Sequence, residues 1–76
     1  MRYSEFWDLV DEVFGRQVGR SLAHDQVLGA LGDRTSVQAL GEGTEPRQVW
    51  RALCDAMDVP EHARWGSDQR RPARRG

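Results

Sequence analysis

Apolar positions recur at helical spacing almost from the start of the chain. Phe6, Leu9, Val10, Val13 and Phe14 follow the i, i+3, i+4, i+7, i+8 pattern of one buried helix face. Ser4 is a suitable N-cap for this helix and Gly15 a suitable stop. Its outer face carries Glu5, Asp8, Asp11 and Glu12. The next stretch, GRQVGR, reads as a loop with Val18 tucked inward. Ser21 then caps a second helix bearing Leu22, Val27, Leu28 and Leu31, ended by Gly32 and Asp33. Thr35 and Gln38 have capping-box spacing and start a short third helix, with Val37 and Leu40 inward and a stop at Gly41 or Gly43. Pro46 suits the first position of a fourth helix, which runs to about Met57. This helix sets Val49, Trp50, Leu53 and Met57 on one side and Arg47, Gln48 and Arg51 on the other. Pro60 opens a last turn, EHAR, that places Trp65 on the body.

No stretch alternates as a strand does. The pattern predicts an all-α domain over residues 1–66, a small bundle of about four short helices. Trp7, Phe14, Trp50, Leu53 and Trp65 are expected to share one core, since a domain of this size holds only one. SDQRRPARRG, residues 67–76, has nothing larger than alanine to bury and is expected to be a disordered Arg-rich tail.

Ala39, Gly43, Val49 and Leu53 give the third and fourth helices the spacing of a helix-turn-helix corner: a small residue, a turn glycine and two apolar pins. On that reading Arg47, Gln48 and Arg51 face the major groove, where Arg suits guanine and Gln suits adenine. Gln38 and Glu42 depart from the motif, because they stand where it usually buries apolar groups. The bland alternative is a solvated polar face on an ordinary helical corner.

Composition sharpens the picture mainly by exclusion. The chain has 76 residues and a formal net charge of −1, which permits one small domain. The charge is unevenly placed: residues 1–63 hold six Arg against eleven acids, and residues 64–76 hold five Arg against Asp68. An acidic body thus carries a basic arm of Arg64, Arg70, Arg71, Arg74 and Arg75. Such an arm can contact nucleic-acid phosphates without sequence preference, fold back on the acidic first helix, or simply solubilise the chain end. All basic residues are Arg, and Lys, Ile and Asn are absent. This reflects a GC-rich coding bias, so the choice of Arg over Lys carries no chemical message.

The single cysteine, Cys54, lies on an amphipathic helix and reads as a small buried residue; alone it builds neither a disulfide framework nor a cysteine zinc site. His24 and His62 are not at metal-ligand spacing. GEG at Gly41–Gly43 lacks the Gly-Lys that a phosphate loop requires. No nucleophile triad is present. The expectation is a non-enzymatic protein with no cofactor, no metal and no small-molecule substrate. No apolar run approaches the ~20 residues of a membrane span, and no signal peptide is visible, so a cytoplasmic protein that does not bind membranes is expected.

The combination of EFW, VFG, HDQVLGALGDRTSVQAL, PRQVWRALCDAMDVP and RW resembles a family of short actinobacterial proteins of unknown function, from Met1 to about Trp65. The resemblance carries over no catalytic residue. Members often lie beside the recombinase and its regulator on the chromosome, which implies by association a role near DNA repair or recombination. Two readings follow. One is a regulatory module acting on DNA or a DNA-processing protein through Arg47, Gln48, Arg51, Arg70, Arg71, Arg74 and Arg75. The other is an adaptor that docks a basic partner on Glu5, Asp8, Asp11 and Glu12, with no nucleic-acid binding.

Overall fold

The computed structural model describes residues 1–65. Four helices form the body: α1 (Tyr3–Phe14), α2 (Arg16–Asp25), α3 (Ser36–Gly41) and α4 (Pro46–Ala56). The predicted all-α architecture holds, with one small addition. Two-residue strands β1 (Val27–Leu28) and β2 (Arg34–Thr35) pair antiparallel, with Val27 opposite Thr35 and Leu28 opposite Arg34. A 3₁₀ turn, Gly29–Leu31, lies between them, and another, Glu61–Ala63, follows Pro60. The predicted tail falls outside the described residues.

Several boundaries differ from expectation, each for a local reason. Helix α1 begins one residue before Ser4, with Arg2 as its cap, because the Glu5 carboxylate reaches back to accept the Arg2 backbone N–H at 2.6 Å. GRQVGR is not a loop. Gly15, at φ 89°, is the sole hinge between α1 and α2, and the chain is helical again from Arg16. Ser21 therefore sits inside α2, where its hydroxyl faces Asp25 at 3.4 Å. Val18 points outward, 60% exposed. Helix α2 stops at Asp25, earlier than predicted. Val27 then turns out at 51% exposure, whereas Leu28 and Leu31 remain buried. Extended backbone at Val27–Leu28 and left-handed residues at Gly32 (φ 73°) and Asp33 (φ 62°) replace the helix expected there.

The capping box of α3 forms as predicted. The Gln38 backbone N–H donates to Thr35 Oγ1 at 3.1 Å and the Thr35 N–H to Gln38 Oε1 at 2.9 Å. Ser36 and Ala39 take its buried positions, with Leu40 half-buried against the core and Val37 half-buried. Pro46 opens α4, whose buried face is Val49, Trp50, Ala52, Leu53 and Cys54.

The core joins Phe6 and Val10 of α1, Leu28 and Leu31 of the central turn, Ala39 of α3 and the buried face of α4. Trp7, Phe14 and Trp65 pack against it half-buried, so the predicted shared cluster is present. Trp50 lies at its centre, with ring centroids 6.0 Å from Phe6 and 5.8 Å from Phe14 in edge-to-face geometry. Its indole N–H donates to the Arg64 carbonyl at 3.1 Å.

Arg64 is not part of a solvated basic arm. Its side chain is only 13% exposed, with Nε donating to the Val59 carbonyl at 2.8 Å and Nη2 to Asp55 Oδ1 at 2.7 Å. A guanidinium so placed closes the last turn over α4.

Two experiments test this account. Trp50→Ala should cost about 3–5 kcal/mol, because a fully buried indole is lost together with its hydrogen bond. A melting temperature equal to the parent's would place Trp50 at the surface instead. The second contrasts two glycines. A Cβ on Gly19 would stand 2.6 Å from Val10 Cγ1 and 2.7 Å from the Val10 carbonyl, whereas one on Gly41 would meet nothing within 4 Å. Gly19→Ala should therefore destabilise by about 1–3 kcal/mol through overpacking of the α1–α2 crossing. Gly41→Ala should instead stabilise by about 0.4–1 kcal/mol through the unfolded chain. Denaturant midpoints that moved alike for both would refute the close crossing.

Candidate interaction groove

Helix α1 turns its acids to two different sides. Asp11 faces α2, where Arg20 donates from Nε and Nη2 to its two carboxylate oxygens, each at 3.1 Å. This bidentate hydrogen bonding from Arg20 holds the Asp11 carboxyl below its ordinary value. The Arg20 guanidinium also lies 4.8 Å from the centroid of the Trp7 ring, and its carbonyl contacts His24 Nδ1 at 2.8 Å. This cluster is a structural clasp between α1 and α2.

Glu5, Asp8 and Glu12 recur at i, i+3 and i+7, which sets them along one stripe of α1. That stripe borders an open groove of about 530 Å³ lined by Met1, Glu5, Asp8, Leu9, Glu12, Arg47 and Trp65. Three carboxylates and one guanidinium thus share the groove with the apolar side chains of Leu9, Trp65 and Met1. Of the four acids singled out from the sequence, the fold brings three together and removes Asp11 to the clasp. Among the described residues, no three His, Cys, Asp or Glu side chains are arranged to hold a metal ion.

Arg47, Gln48 and Arg51 are all exposed on α4, as their spacing predicts. They do not present a purely basic surface. Arg47 borders the acidic groove and also a second, shallower one of about 460 Å³, where Gln48 and Arg51 line the wall with Glu45 and Asp55. Asp55 is in turn the partner of Arg64. In the corner before α4, Gln38 is engaged in the α3 cap and Glu42 pairs with Arg34. Arg70, Arg71, Arg74 and Arg75 lie outside the described residues.

Trp65 and Leu9 were legible in the sequence only as core. Both are half-buried, so each serves the core and the groove at once. Their double role has no sequence signal, because periodicity assigns a residue to a face without saying what lies opposite.

Cys54 is buried, and loss of solvent around it pushes its thiol up to about 12. Alkylation by iodoacetamide near neutral pH should label it only after unfolding. The thiol's contribution to stability is complete below its ordinary value of 9.0 and is lost as pH rises from there toward about 12. Rapid labelling of the native protein would reveal local opening of α4.

No helix among the described residues is long and apolar enough to cross a membrane. Residues 1–62 match the model of a family described as "Protein of unknown function (DUF3046)". A stretch of 36 residues, 47% of this chain, is 47% identical to a Mycobacterium tuberculosis (strain ATCC 25618 / H37Rv) protein whose name assigns it provisionally to an envelope-preserving system. The matched stretch spans 13% of that longer protein. No solved structure matches the chain.

Proposed function

The chain belongs to the DUF3046 family of proteins of unknown function, and we propose that it is a non-enzymatic protein-interaction module that seats an Arg- or Lys-rich segment of a partner in the α1/α4 groove. The observation that carries this reading is the convergence of Glu5, Asp8 and Glu12 around Leu9 and Trp65. The carboxylates steer a cationic segment and set its register, and Leu9 and Trp65 offer apolar surface to the stems of its side chains. An arginine of the partner can also stack on the exposed part of the Trp65 ring.

The same geometry speaks against phosphate as the ligand. Residues 1–65 hold seven Arg against eleven acids, and Arg47 stands on the rim of the acidic groove. A duplex approaching Arg47 would bring its phosphates toward Glu5, Asp8 and Glu12, whereas phosphate contacts usually dominate nucleic-acid affinity. The tuberculosis relative carries a similar stretch as a small part of a longer chain, in keeping with a module. A DNA-processing protein with a basic segment is the partner class that best fits the chromosomal neighbourhood implied by the family resemblance.

Capped hexa-arginine provides a simple probe. Its addition should shift the amide signals of Glu5, Asp8, Leu9, Glu12 and Trp65, with affinity falling as salt rises. Glu5→Gln combined with Asp8→Asn should weaken binding about twofold to thirtyfold, the effect of two exposed charge pairs. Gln at position 5 can still accept the Arg2 N–H, so the helix cap survives. Binding of generic duplex DNA at low salt, with signals shifting at Arg47, Gln48 and Arg51 instead, would overturn the proposal.

A further inference from the structure

We infer that the face shared by α1 and α4 seats a second copy of this chain, with Glu5 and Asp8 of each copy set against Arg47 and Arg51 of the other. A basic partner must then displace that copy, and this consequence alone rests on reading the groove as a seat for basic segments. The unpaired charges of the fold carry the inference. Arg20, Arg34 and Arg64 are held by Asp11, Glu42 and Asp55. Arg47 and Arg51 are exposed on α4 and enter no ion pair among the described residues. On α1, Glu5 gives one carboxylate oxygen to the Arg2 N–H and keeps the other. Asp8 enters no ion pair among the described residues and acts on Arg20 through its charge. The two sets adjoin, because Arg47 borders both grooves: Glu5 and Asp8 line the first and Arg51 the second.

A surface with acids and arginines side by side is complementary to itself after a half-turn. The rotation that brings Asp8 to the other copy's Arg51 also brings Arg51 to the other copy's Asp8, so each contact occurs twice and the pair is closed. The spacings agree. Arg47 and Arg51 stand ~6 Å apart along α4, and Glu5 and Asp8 ~4.5 Å apart along α1. Ala30 and Ala52 line the second groove with short side chains, which leaves room for an approaching helix. Asp55 in that groove is already neutralised by Arg64, so Arg47 and Arg51 outweigh Glu45 there. Exposed charge pairs are individually weak and screened by salt. A contact built on four of them belongs with transient interfaces, with a dissociation constant on the order of 0.1–1 mM.

The test is sedimentation equilibrium of the full chain from about 10 μM to 1 mM, a range that spans this dissociation constant. At low salt the average mass should climb toward two chains, and at high salt it should return to one. Asp8→Arg alone and Arg51→Glu alone should each weaken self-association about tenfold to a hundredfold, because each turns two attractive pairs into two repulsive ones. An equal mixture of the two variants should recover the parent's association, since both pairs are then restored across the contact. That recovery also shows that each variant is folded. A parent that stays monomeric at low salt, or variants that associate as the parent does, would overturn the inference. Loss in both variants without recovery in the mixture refutes this pairing, and mass rising past two chains refutes a closed pair. Capped hexa-arginine separates this inference from the reading of the groove. It should drive the parent back to one chain. If the parent is monomeric yet binds the peptide, self-pairing fails and the groove reading stands. If the parent pairs and the peptide does not bind, self-pairing stands and the groove reading fails. Peptide binding that leaves the pair intact would overturn displacement.

Discussion

The fold hangs on the burial of a single indole. Trp50 fills the centre of the core between Phe6 and Phe14, and a ring so enclosed needs an acceptor for its N–H. The Arg64 carbonyl supplies it, and the Arg64 side chain holds that carbonyl in place through the Val59 carbonyl and Asp55. The residues after α4 are thus bound to the core by a polar chain as well as by apolar contact. The consequence for the surface is direct. The turn that satisfies Trp50 also sets Trp65 beside α1, and without it the groove would lose a wall.

A second constraint divides the acids of α1. Gly15 lets the chain reverse within one residue, and Gly19 lets α2 approach Val10 and Phe14 more closely than any Cβ would allow. At that distance Arg20 can hold Asp11 with both nitrogens and cover Trp7. One acid is thereby committed to structure. Glu5, Asp8 and Glu12 instead line the groove that Arg47 of α4 also borders, with Asp8 still close enough to Arg20 to act on its charge. Surface charge and core packing are therefore linked through one helix crossing.

Electrostatics also reshape the meaning of α4. Arg47, Gln48 and Arg51 suit base recognition when α4 is considered alone, but in the fold each lies in a groove shared with carboxylates. A side chain's chemistry at an interface depends on the potential around it, and that potential here is set by α1 and by Glu45 and Asp55. The surface around Arg47, Gln48 and Arg51 is therefore mixed in charge, not basic.

What the sequence by itself determined were the features governed by short-range physics: the apolar stripe of α1, the capping box at Thr35 and Gln38, Pro46 at the start of α4, and the burial of Trp50 and Cys54. Each depends on residues within about one or two helical turns, so spacing alone reveals it. Only the tertiary structure decided the rest. GRQVGR has the glycines of a loop yet is helical, because Gly19 serves a close helix contact that no local pattern encodes. Arg64 has the composition of a solvated arm yet closes the core, because its carbonyl meets an indole fourteen residues earlier. The groove is likewise a product of distance in sequence: Glu5, Arg47 and Trp65 come from three separate segments, and only packing brings them to one place.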